Sequence, residues 1–411
     1  MQKQSSSVFT IAVLVAALGY FVDIYDLLLF NIVRVESLRD MGLSDALIKS
    51  EGEFIISIQM FGLLIGGIVW GMMGDKKGRL SVLFGSIILY SIANIINGFV
   101  QTPNQYAITR FVAGIGLAGE LGAGITLVSE LIKKEKRGLS TSFVAGIGLL
   151  GAVAAYFISQ NFHWRTSYFI GGGLGFCLLL LRISVYESSM FSQLKQTNIL
   201  RGNFLHFFTN TQRFKKYMLA ILIGLPTWFV IGILVAFSNN FAVEMGITET
   251  VLPKISTMYA YVCISVADIL AGLLSHVLKS RKKALYIFYG MSAISMVLFF
   301  NQENGTALGM YWICAALGFS SGYWAIFVTM AAEQFGTNLR ATAATTVPNM
   351  VRGALPIMLL LFNGLQLVFS TVSNPYITAA WVTGVIVMLI AVLAAFFTEE
   401  TFGKDLNFVE E

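Results

Sequence analysis

Charged side chains are scarce in this chain. Only 12% of its 411 residues are charged, whereas 56% are hydrophobic and the mean hydropathy is +0.75. A soluble domain carries about 25% charged residues, so this chain has too few to give a fold of its size a solvated surface. The composition excludes a disordered chain, a secreted disulfide scaffold and an ordinary cytosolic enzyme. It predicts a polytopic membrane protein.

Cysteine, histidine and proline are also rare, with three, three and six residues. Cys177, Cys263 and Cys314 lie in apolar runs, which predicts small core residues and no disulfide framework. The histidines show no metal-ligand spacing, so we expect no metal site. The net charge of +5 does not indicate a nucleic-acid partner, because the basic residues cluster in loops.

Long apolar runs are what the chain has in abundance, and they predict twelve transmembrane helices of about 20 residues or more. The longest polar stretch predicts a cytoplasmic linker at residues 186–215. It separates an N-terminal six-helix bundle at residues 1–185 from a C-terminal six-helix bundle at residues 216–411. The predicted spans are residues 9–33, 53–73, 80–100, 105–131, 139–160, 165–184, 216–238, 254–277, 284–300, 306–331, 341–368 and 374–398.

Lysine and arginine are concentrated in alternate loops, which orients the chain. With the N-terminus inside, the outer loops carry only five of these residues, whereas the inner loops carry most of the others. Both termini are therefore predicted to be cytoplasmic, in a plasma membrane, which in a bacterium is the inner membrane. No cleaved signal peptide is expected, because the first apolar run is long enough to remain as a span. The predicted outer-loop residues are Arg34, Arg39, Lys49, Arg165 and Lys254.

The two halves of the chain resemble each other. Residues 129–143 read SELIKKEKRGLSTSF and residues 332–346 read AEQFGTNLRATAATT, and each places a glutamate seven residues before an arginine. An offset of roughly 200 residues relates the two segments and also brings Arg79 onto Arg281. Paired six-helix halves of this kind are the architecture of one large class of transporters.

The loop between spans two and three carries a specific motif, Gly71-Met-Met-Gly-Asp75-Lys-Lys-Gly78-Arg79. It resembles the G-x-x-x-D-x-x-G-R signature of the major facilitator superfamily. Gly71 lets two helix ends approach closely, and Asp75 can pair with an arginine or a helix N-terminus in one conformation. The alternative is a solvated inner loop. We predict a conformational latch made of Gly71, Asp75, Gly78, Arg79, Glu130, Arg137, Glu333 and Arg340.

Span four and the chain end extend the resemblance over the whole chain. Arg110, Gly114, Gly119-Glu120 and Glu130 resemble the R-x3-G-x4-G-E-x9-E pattern of metabolite:proton symporters, while residues 400–406 resemble the ending of sugar porters. The resemblance implies an all-α membrane protein with twelve transmembrane helices in two pseudo-symmetric bundles. It also implies a monomeric transporter that is not an enzyme and needs no cofactor.

Three acidic residues are predicted to lie inside the membrane, where ionisable groups are costly and usually serve transport. Asp23 and Asp26 share one helix face at i, i+3 spacing, and two buried carboxyl groups do not both ionise easily. They resemble the D-x-Y-D of phosphate:proton symporters and the D-G-F-D of aromatic acid:proton symporters. We predict proton coupling by Asp23, Asp26 and Glu120, with Glu120 facing Asp26. The alternative is a structural acidic pair bonded to Arg34 or to backbone.

Arg352 is the clearest intramembrane cation, about 17 Å into span eleven at 1.5 Å per residue. Its guanidinium remains protonated and its fork of donors fits a carboxylate or phosphate. The alternative is permanent neutralisation by a protein acid. Asn349, one turn earlier, is predicted to share anion binding, and the family fold places Trp228, Tyr323 and Trp324 on the same cavity.

Two further charged residues have no assigned role from sequence. Arg110 either serves the site or only snorkels near the outer helix end. Asp268 in span eight either couples protons or pairs with a basic inner-loop residue.

The leading hypothesis is proton-coupled symport of a small organic anion or zwitterion, with the substrate carboxylate on Arg352. Phosphate and hexose are not expected, because span seven lacks both the acidic residue of the phosphate branch and the glutamines of the sugar branch. The second hypothesis is proton-driven export of a hydrophobic or cationic compound. A third, a receptor on a transporter fold, is disfavoured because no large soluble domain is present.

Overall fold

The computed structural model describes residues 11–133, 136–182 and 201–410. Within these ranges, twelve helices are long and apolar enough to cross a membrane, and we number them in chain order. They are α1 Ile11–Asp40, α2 Leu47–Lys77, α3 Arg79–Asn97, α4 Pro103–Leu131, α5 Arg137–Asn161, α6 Trp164–Arg182, α7 Thr211–Val235, α8 Pro253–Leu278, α9 Arg281–Phe300, α10 Ala307–Glu333, α11 Arg340–Val368 and α12 Pro375–Phe397.

The predicted all-α, twelve-helix fold is confirmed, and the largest differences lie in the first hairpin. α1 continues seven residues beyond its predicted end at residue 33, and α2 begins before residue 53. Charged residues end an apolar run but do not end a helix, because the backbone hydrogen bonds do not depend on hydropathy. Arg34, Arg39 and Lys49 therefore lie within helices and not in an outer loop, and Arg34 is buried.

Four of the long helices are interrupted near their middle. α4 breaks at residues 118–119 and α10 at residues 321–323, while α5 breaks at Leu150 and α11 at Ala354. The breaks in α4 and α10 correspond at an offset of roughly 200 residues, and so do those in α5 and α11. Each break redirects the side chains that follow it, including Glu120 and Trp324, which begin the second segments of α4 and α10.

The two halves meet mainly where α2 packs against α11 and where α5 packs against α8. Small residues allow this close approach. A Cβ on Gly71 would lie 3.0 Å from the Thr342 Cα, and one on Gly146 would lie 2.9 Å from the Ser265 carbonyl oxygen. The interface therefore brings the backbones of the two halves together without intervening bulky side chains.

The predicted linker at residues 186–215 is only partly described. Residues 186–200 lie outside the described residues, Phe204–Phe208 form a short 3-10 helix, and α7 begins at Thr211. The last five residues of the predicted linker are therefore helical.

Candidate functional site

A small closed cavity lies between the two halves, near the middle of the long helices. Its volume is about 20 Å³, enough for a water molecule but not for an organic substrate. Two tryptophans and two tyrosines contribute to its wall. The residues that line it are Tyr20, Ile24, Leu149, Thr227, Trp228, Ile231, Tyr261, Ile264, Trp324 and Arg352.

Arg352 supplies the cationic group of this cavity. Its Nη1 donates to the Asn349 Oδ1 at 3.1 Å, its Nη2 lies 3.5 Å from the Tyr20 hydroxyl, and its guanidinium carbon is 5.8 Å from the Trp324 ring centroid. The side chain is buried and has no ion-pair partner among the described residues. A buried guanidinium without a fixed counterion is a site that an anion can complete.

Asn349 orients the guanidinium of Arg352. Its Nδ2 donates to the Thr345 carbonyl in α11 and to the Ala118 carbonyl at the break in α4, at 2.7 and 2.8 Å. The amide oxygen of Asn349 is therefore turned toward Arg352 and accepts from its Nη1. One asparagine thus connects the break in one half to the cation of the other.

The predicted aromatic residues divide into two groups. Trp228 and Trp324 line the cavity, as predicted from the family fold. Tyr323 does not, because the break in α10 turns it toward α9, where its ring centroid is 5.3 Å from that of Tyr289. Tyr323 is therefore a packing residue behind the cavity in this conformation.

Asp26 forms a buried ion pair that was not predicted. Arg110 Nη1 donates to the Asp26 Oδ1 at 2.9 Å and to the Asn94 Oδ1 at 3.2 Å, and Arg110 Nη2 donates to the Asp26 carbonyl at 3.0 Å. The possibility that Arg110 only snorkels at the helix end is wrong, since its side chain is fully buried.

Asp23 differs from Asp26 although it lies one helical turn away. It is fully buried, and neither carboxyl oxygen has a hydrogen-bond partner in the part of the chain that the structure describes. Arg352 is the cation that acts most strongly on it through space, without forming an ion pair. An unpartnered buried carboxyl group is costly when ionised, so this environment favours its neutral form.

The predicted position of Glu120 opposite Asp26 is wrong. Its two oxygens accept from Nη1 and Nη2 of Arg182 at 2.8 and 2.5 Å, and Oε1 also accepts from the Ser86 hydroxyl at 3.0 Å. The break in α4 before Glu120 turns the carboxylate toward α3 and α6. The sequence analysis assigns no role to Arg182, although an arginine within span six is a signal of a buried partner for an intramembrane acid.

Asp268 does not pair with a basic residue. It is buried, and its Oδ1 accepts from the Ala325 backbone N–H at 2.9 Å, just after the break in α10. Asp268 therefore accepts from a backbone N–H group that has no partner within the helix, at the start of the second segment of α10.

The residues predicted to form the latch meet at the face where the described chain begins, at Ile11, and ends, at Glu410, and we call it the terminal face. Asp75 at the end of α2 accepts from the backbone N–H groups of Ala341 and Thr342 at 3.1 and 2.8 Å, and from the Thr342 hydroxyl at 2.7 Å. A carboxylate of one half thus caps α11 of the other, where the helix dipole favours it. Gly78, with φ of 106°, makes the turn from α2 to α3.

Two glutamates connect the halves beside this cap. Glu130 accepts from Arg79 of its own half at 2.8 Å and from Arg340 of the other half at 3.2 Å. All three side chains are buried. The pairing combines one bond within a half with one bond across the interface.

Glu333 repeats this arrangement in the second half. It lies 3.2 Å from Arg281 of its own half and 3.6 Å from Arg137 of the other half. It also accepts from the Thr401 hydroxyl in the C-terminal tail at 2.8 Å. The two glutamates therefore hold the terminal face closed from both halves.

Replacing Asp75 with asparagine should open the terminal face. Asparagine retains one acceptor oxygen but turns an NH₂ group toward the donors of Thr342, and leaving donors unmatched costs about 1–3 kcal/mol. A shift of about five- to 140-fold toward an open terminal face follows, since about 1.4 kcal/mol is tenfold. Spin-label distance distributions between the two halves at this face would measure it. Lys76→Gln, an exposed neighbour with the same size of charge change, should leave the distribution unchanged. Equal distributions for Asp75→Asn and Lys76→Gln would contradict the prediction.

The fold and the cavity together define a class of protein. Two helical halves surround a closed, cation-bearing site and are joined by breakable polar contacts at one face, which is the arrangement of a transporter that alternates access to a central site. The chain is a multi-pass membrane transporter.

Comparisons with known proteins identify the family. The model of the Major Facilitator Superfamily matches residues 9–359, so the chain belongs to this superfamily. It is 26% identical to the niacin transporter NiaP of Acinetobacter baylyi, over 96% of this chain and 94% of that one. It is 28% identical to the 3-(3-hydroxy-phenyl)propionate transporter of Escherichia coli, over 84% and 85%. The fold matches that of the proton:xylose symporter XylE with a TM-score of 0.76 and 19% identity, over 98% of each chain.

Proposed function

We propose that this transporter takes up a small organic anion, a planar aromatic ring that carries one carboxylate group, together with protons. The observation that carries the proposal is Arg352, a buried guanidinium with no ion-pair partner among the described residues, in a cavity between the halves. A substrate carboxylate accepts the bidentate fork of the guanidinium and supplies the missing countercharge.

The other walls of the cavity favour a planar ring. Trp228 and Trp324 face the same space as Tyr20 and Tyr261, and apart from Arg352 and Thr227 the remaining lining is aliphatic. Such walls stack on an aromatic ring and offer few partners to the hydroxyl groups of a sugar. Two of the similar proteins are transporters of niacin and of 3-(3-hydroxy-phenyl)propionate, both of which are aromatic carboxylic acids.

Proton coupling is assigned to Asp23 and Asp26. A substrate anion at Arg352 adds negative charge near the unpartnered Asp23, so the anion binds best when that carboxyl group is protonated. Protonation of Asp26 releases Arg110 from its ion pair and changes the contact between α1 and α4. The proton therefore supplies the differential affinity that a conformational cycle requires. Glu120 has no part in this step, because Arg182 engages both of its oxygens.

The contacts of Asp75, Glu130 and Glu333 act as the latch of the cycle. They hold the terminal face closed while the opposite face admits substrate, and they must break when the halves rock to release it. The positive-inside bias of the loops supports a cytoplasmic terminal face and cytoplasmic termini, in the plasma membrane, which for a bacterial source is the inner membrane. The central site draws on both halves of one chain, so a monomer is sufficient.

Uptake of labelled niacin into proteoliposomes tests the proposal. An imposed pH gradient, acidic outside, should drive accumulation well above equilibrium, whereas protein-free liposomes exposed to the same gradient report passive entry of the neutral acid. Uptake by the protein that ignores the gradient would refute proton coupling. Proton-driven export of a cationic dye with no niacin uptake would instead favour an antiporter.

A further inference from the structure

A second, larger cavity lies at the face opposite the terminal face. Its volume is about 790 Å³, within the usual range of small-molecule sites. One wall is the end of α1, and the other is the segment from residue 239 to Lys254, which joins α7 to α8. We call this cavity the vestibule. Both halves contribute to it, so its width depends on their separation at this face.

Arg34 is the buried cation of the vestibule. Its side chain is only 5% exposed, and it makes no hydrogen bond or ion pair with any residue that the structure describes. Its guanidinium carbon lies 5.2 Å from the Phe237 ring centroid, and Glu53 acts on it only through space. Apart from Arg352, the arginines buried inside the helical halves behave differently, since each of these has an acidic partner: Arg79, Arg110, Arg137, Arg182, Arg281 and Arg340.

Two amide side chains line the vestibule with Arg34. The Oδ1 atoms of Asn31 and Asn239 are buried and have no hydrogen-bond partner in the described ranges. Asn31 comes from α1 and Asn239 from the helix that follows α7. An amide turned about its last bond presents an NH₂ group, so each can donate to an anion held by Arg34.

Arg34 and Arg352 share three properties. Each is buried, each lacks an acidic partner among the described side chains, and each contacts an aromatic residue of the other half: Phe237 for Arg34 and Tyr20 for Arg352. They are separated by roughly 20 Å along the membrane normal, since Tyr20 and Arg34 are fourteen residues apart on α1. The same cationic chemistry therefore occurs at the mouth and at the centre of one path.

The charges at the rim of the vestibule do not cancel this site. Glu36, Asp40 and Glu249 are balanced in number by Arg39, Lys254 and Arg34 itself, and the three acidic groups are exposed to solvent. Water and salt screen exposed charges strongly, whereas a buried guanidinium is screened much less. The half-buried Glu53 opposes this attraction only through space and forms no ion pair with Arg34, so Arg34 remains the buried cation that an organic anion meets in the vestibule.

We propose that the vestibule is a capture site, where Arg34 with Asn31 and Asn239 binds the carboxylate of the substrate before it moves to Arg352. This inference rests on the proposed function and adds a second, weaker binding site for the same class of aromatic carboxylate. The substrate leaves Arg34 when Arg352 becomes accessible, and closure of the halves at this face removes the vacated site.

Equilibrium binding of niacin to the purified protein tests the site directly. Arg352→Gln, which removes the central cation, should retain weak binding that falls at least fivefold between low and high salt. The double variant Arg34→Gln/Arg352→Gln should lose that remainder. Lys49→Gln/Arg352→Gln, which removes an exposed charge on the same face, is the control and should bind like Arg352→Gln. Equal binding by the Arg352→Gln and Arg34→Gln/Arg352→Gln proteins overturns the capture site.

Uptake kinetics provide the second measurement. Arg34→Gln should raise the KM for niacin five- to twentyfold and change kcat less than twofold, because the central site is intact, and Arg34→Lys should recover part of the loss. A fall in kcat with unchanged KM overturns the proposal. Failure of the proposed function would give a different result. Niacin binding that is lost in Arg34→Gln but unchanged in Arg352→Gln overturns the central site and supports the vestibule.

Discussion

Replacing Arg352 with glutamine is expected to reduce niacin uptake about 10- to 100-fold, the equivalent of roughly 1.5–3 kcal/mol for hydrogen bonds to a charged group. The reason is that Arg352 offers the cavity its positive charge, whereas Asn349 and the aromatic residues around it are neutral. Arg352→Lys keeps the charge but loses the planar fork, so it should retain only part of the activity.

The same substitution should leave the stability of the protein unchanged or slightly higher. Arg352 has no ion pair to lose among the described residues, and removal of an uncompensated buried charge relieves a desolvation cost. Arg182→Gln is the matched comparison, because it leaves the buried Glu120 without its partner and should lower the melting temperature markedly.

Thermal unfolding and uptake measured on both variants distinguish the two roles. An Arg352→Gln protein that is as unstable as Arg182→Gln would show that Arg352 is structural. An Arg352→Gln protein with unimpaired niacin uptake would refute the proposal that the substrate carboxylate binds Arg352.

The two carboxyl groups of α1 should respond in opposite ways to the same substitution. Asp26→Asn leaves the buried guanidinium of Arg110 without its partner and should destabilise the protein by about 3–5 kcal/mol. Asp23→Asn has no hydrogen bond to lose within the described structure and should fold like the wild type. Asp26→Asn/Arg110→Gln should recover part of the stability, since neither charge then remains alone.

The pH dependence of niacin binding reports the role of Asp23. Binding of the anion is favoured by protonated Asp23, so the affinity of the wild type should fall as the pH rises. Asp23→Asn resembles the protonated state, so its affinity should depend on pH much less than that of the wild type, and its uptake should follow a pH gradient more weakly. A wild-type pH profile retained in Asp23→Asn would exclude Asp23 as the coupling residue and leave Asp26 as the candidate.

Occlusion of the central site follows from what the two faces do in this conformation. The contacts of Asp75, Glu130 and Glu333 close the terminal face, and the central cavity holds no more than a water molecule. An opening remains at the opposite face, where the end of α1 lines the vestibule. The conformation is therefore one in which the two halves have closed on the central site.

The sequence by itself determined the number of spans, the family and the residues that meet at the terminal face. Lipid accepts a backbone only when its hydrogen bonds are satisfied locally, so each helix must appear as a long apolar run. The motif around Asp75 could be recognised because its residues, from Gly71 to Arg79, are consecutive in the chain.

The partners of the intramembrane charges were decided by the tertiary structure alone. Asp26 meets Arg110 from 84 residues away, and Glu120 meets Arg182 from 62. No local periodicity encodes such pairs, and the breaks in α4 and α10 rotate Glu120 and Tyr323 away from the positions that unbroken helices would give them. Which charged side chains remain without a partner, and so can hold a substrate, depends on how all twelve helices pack.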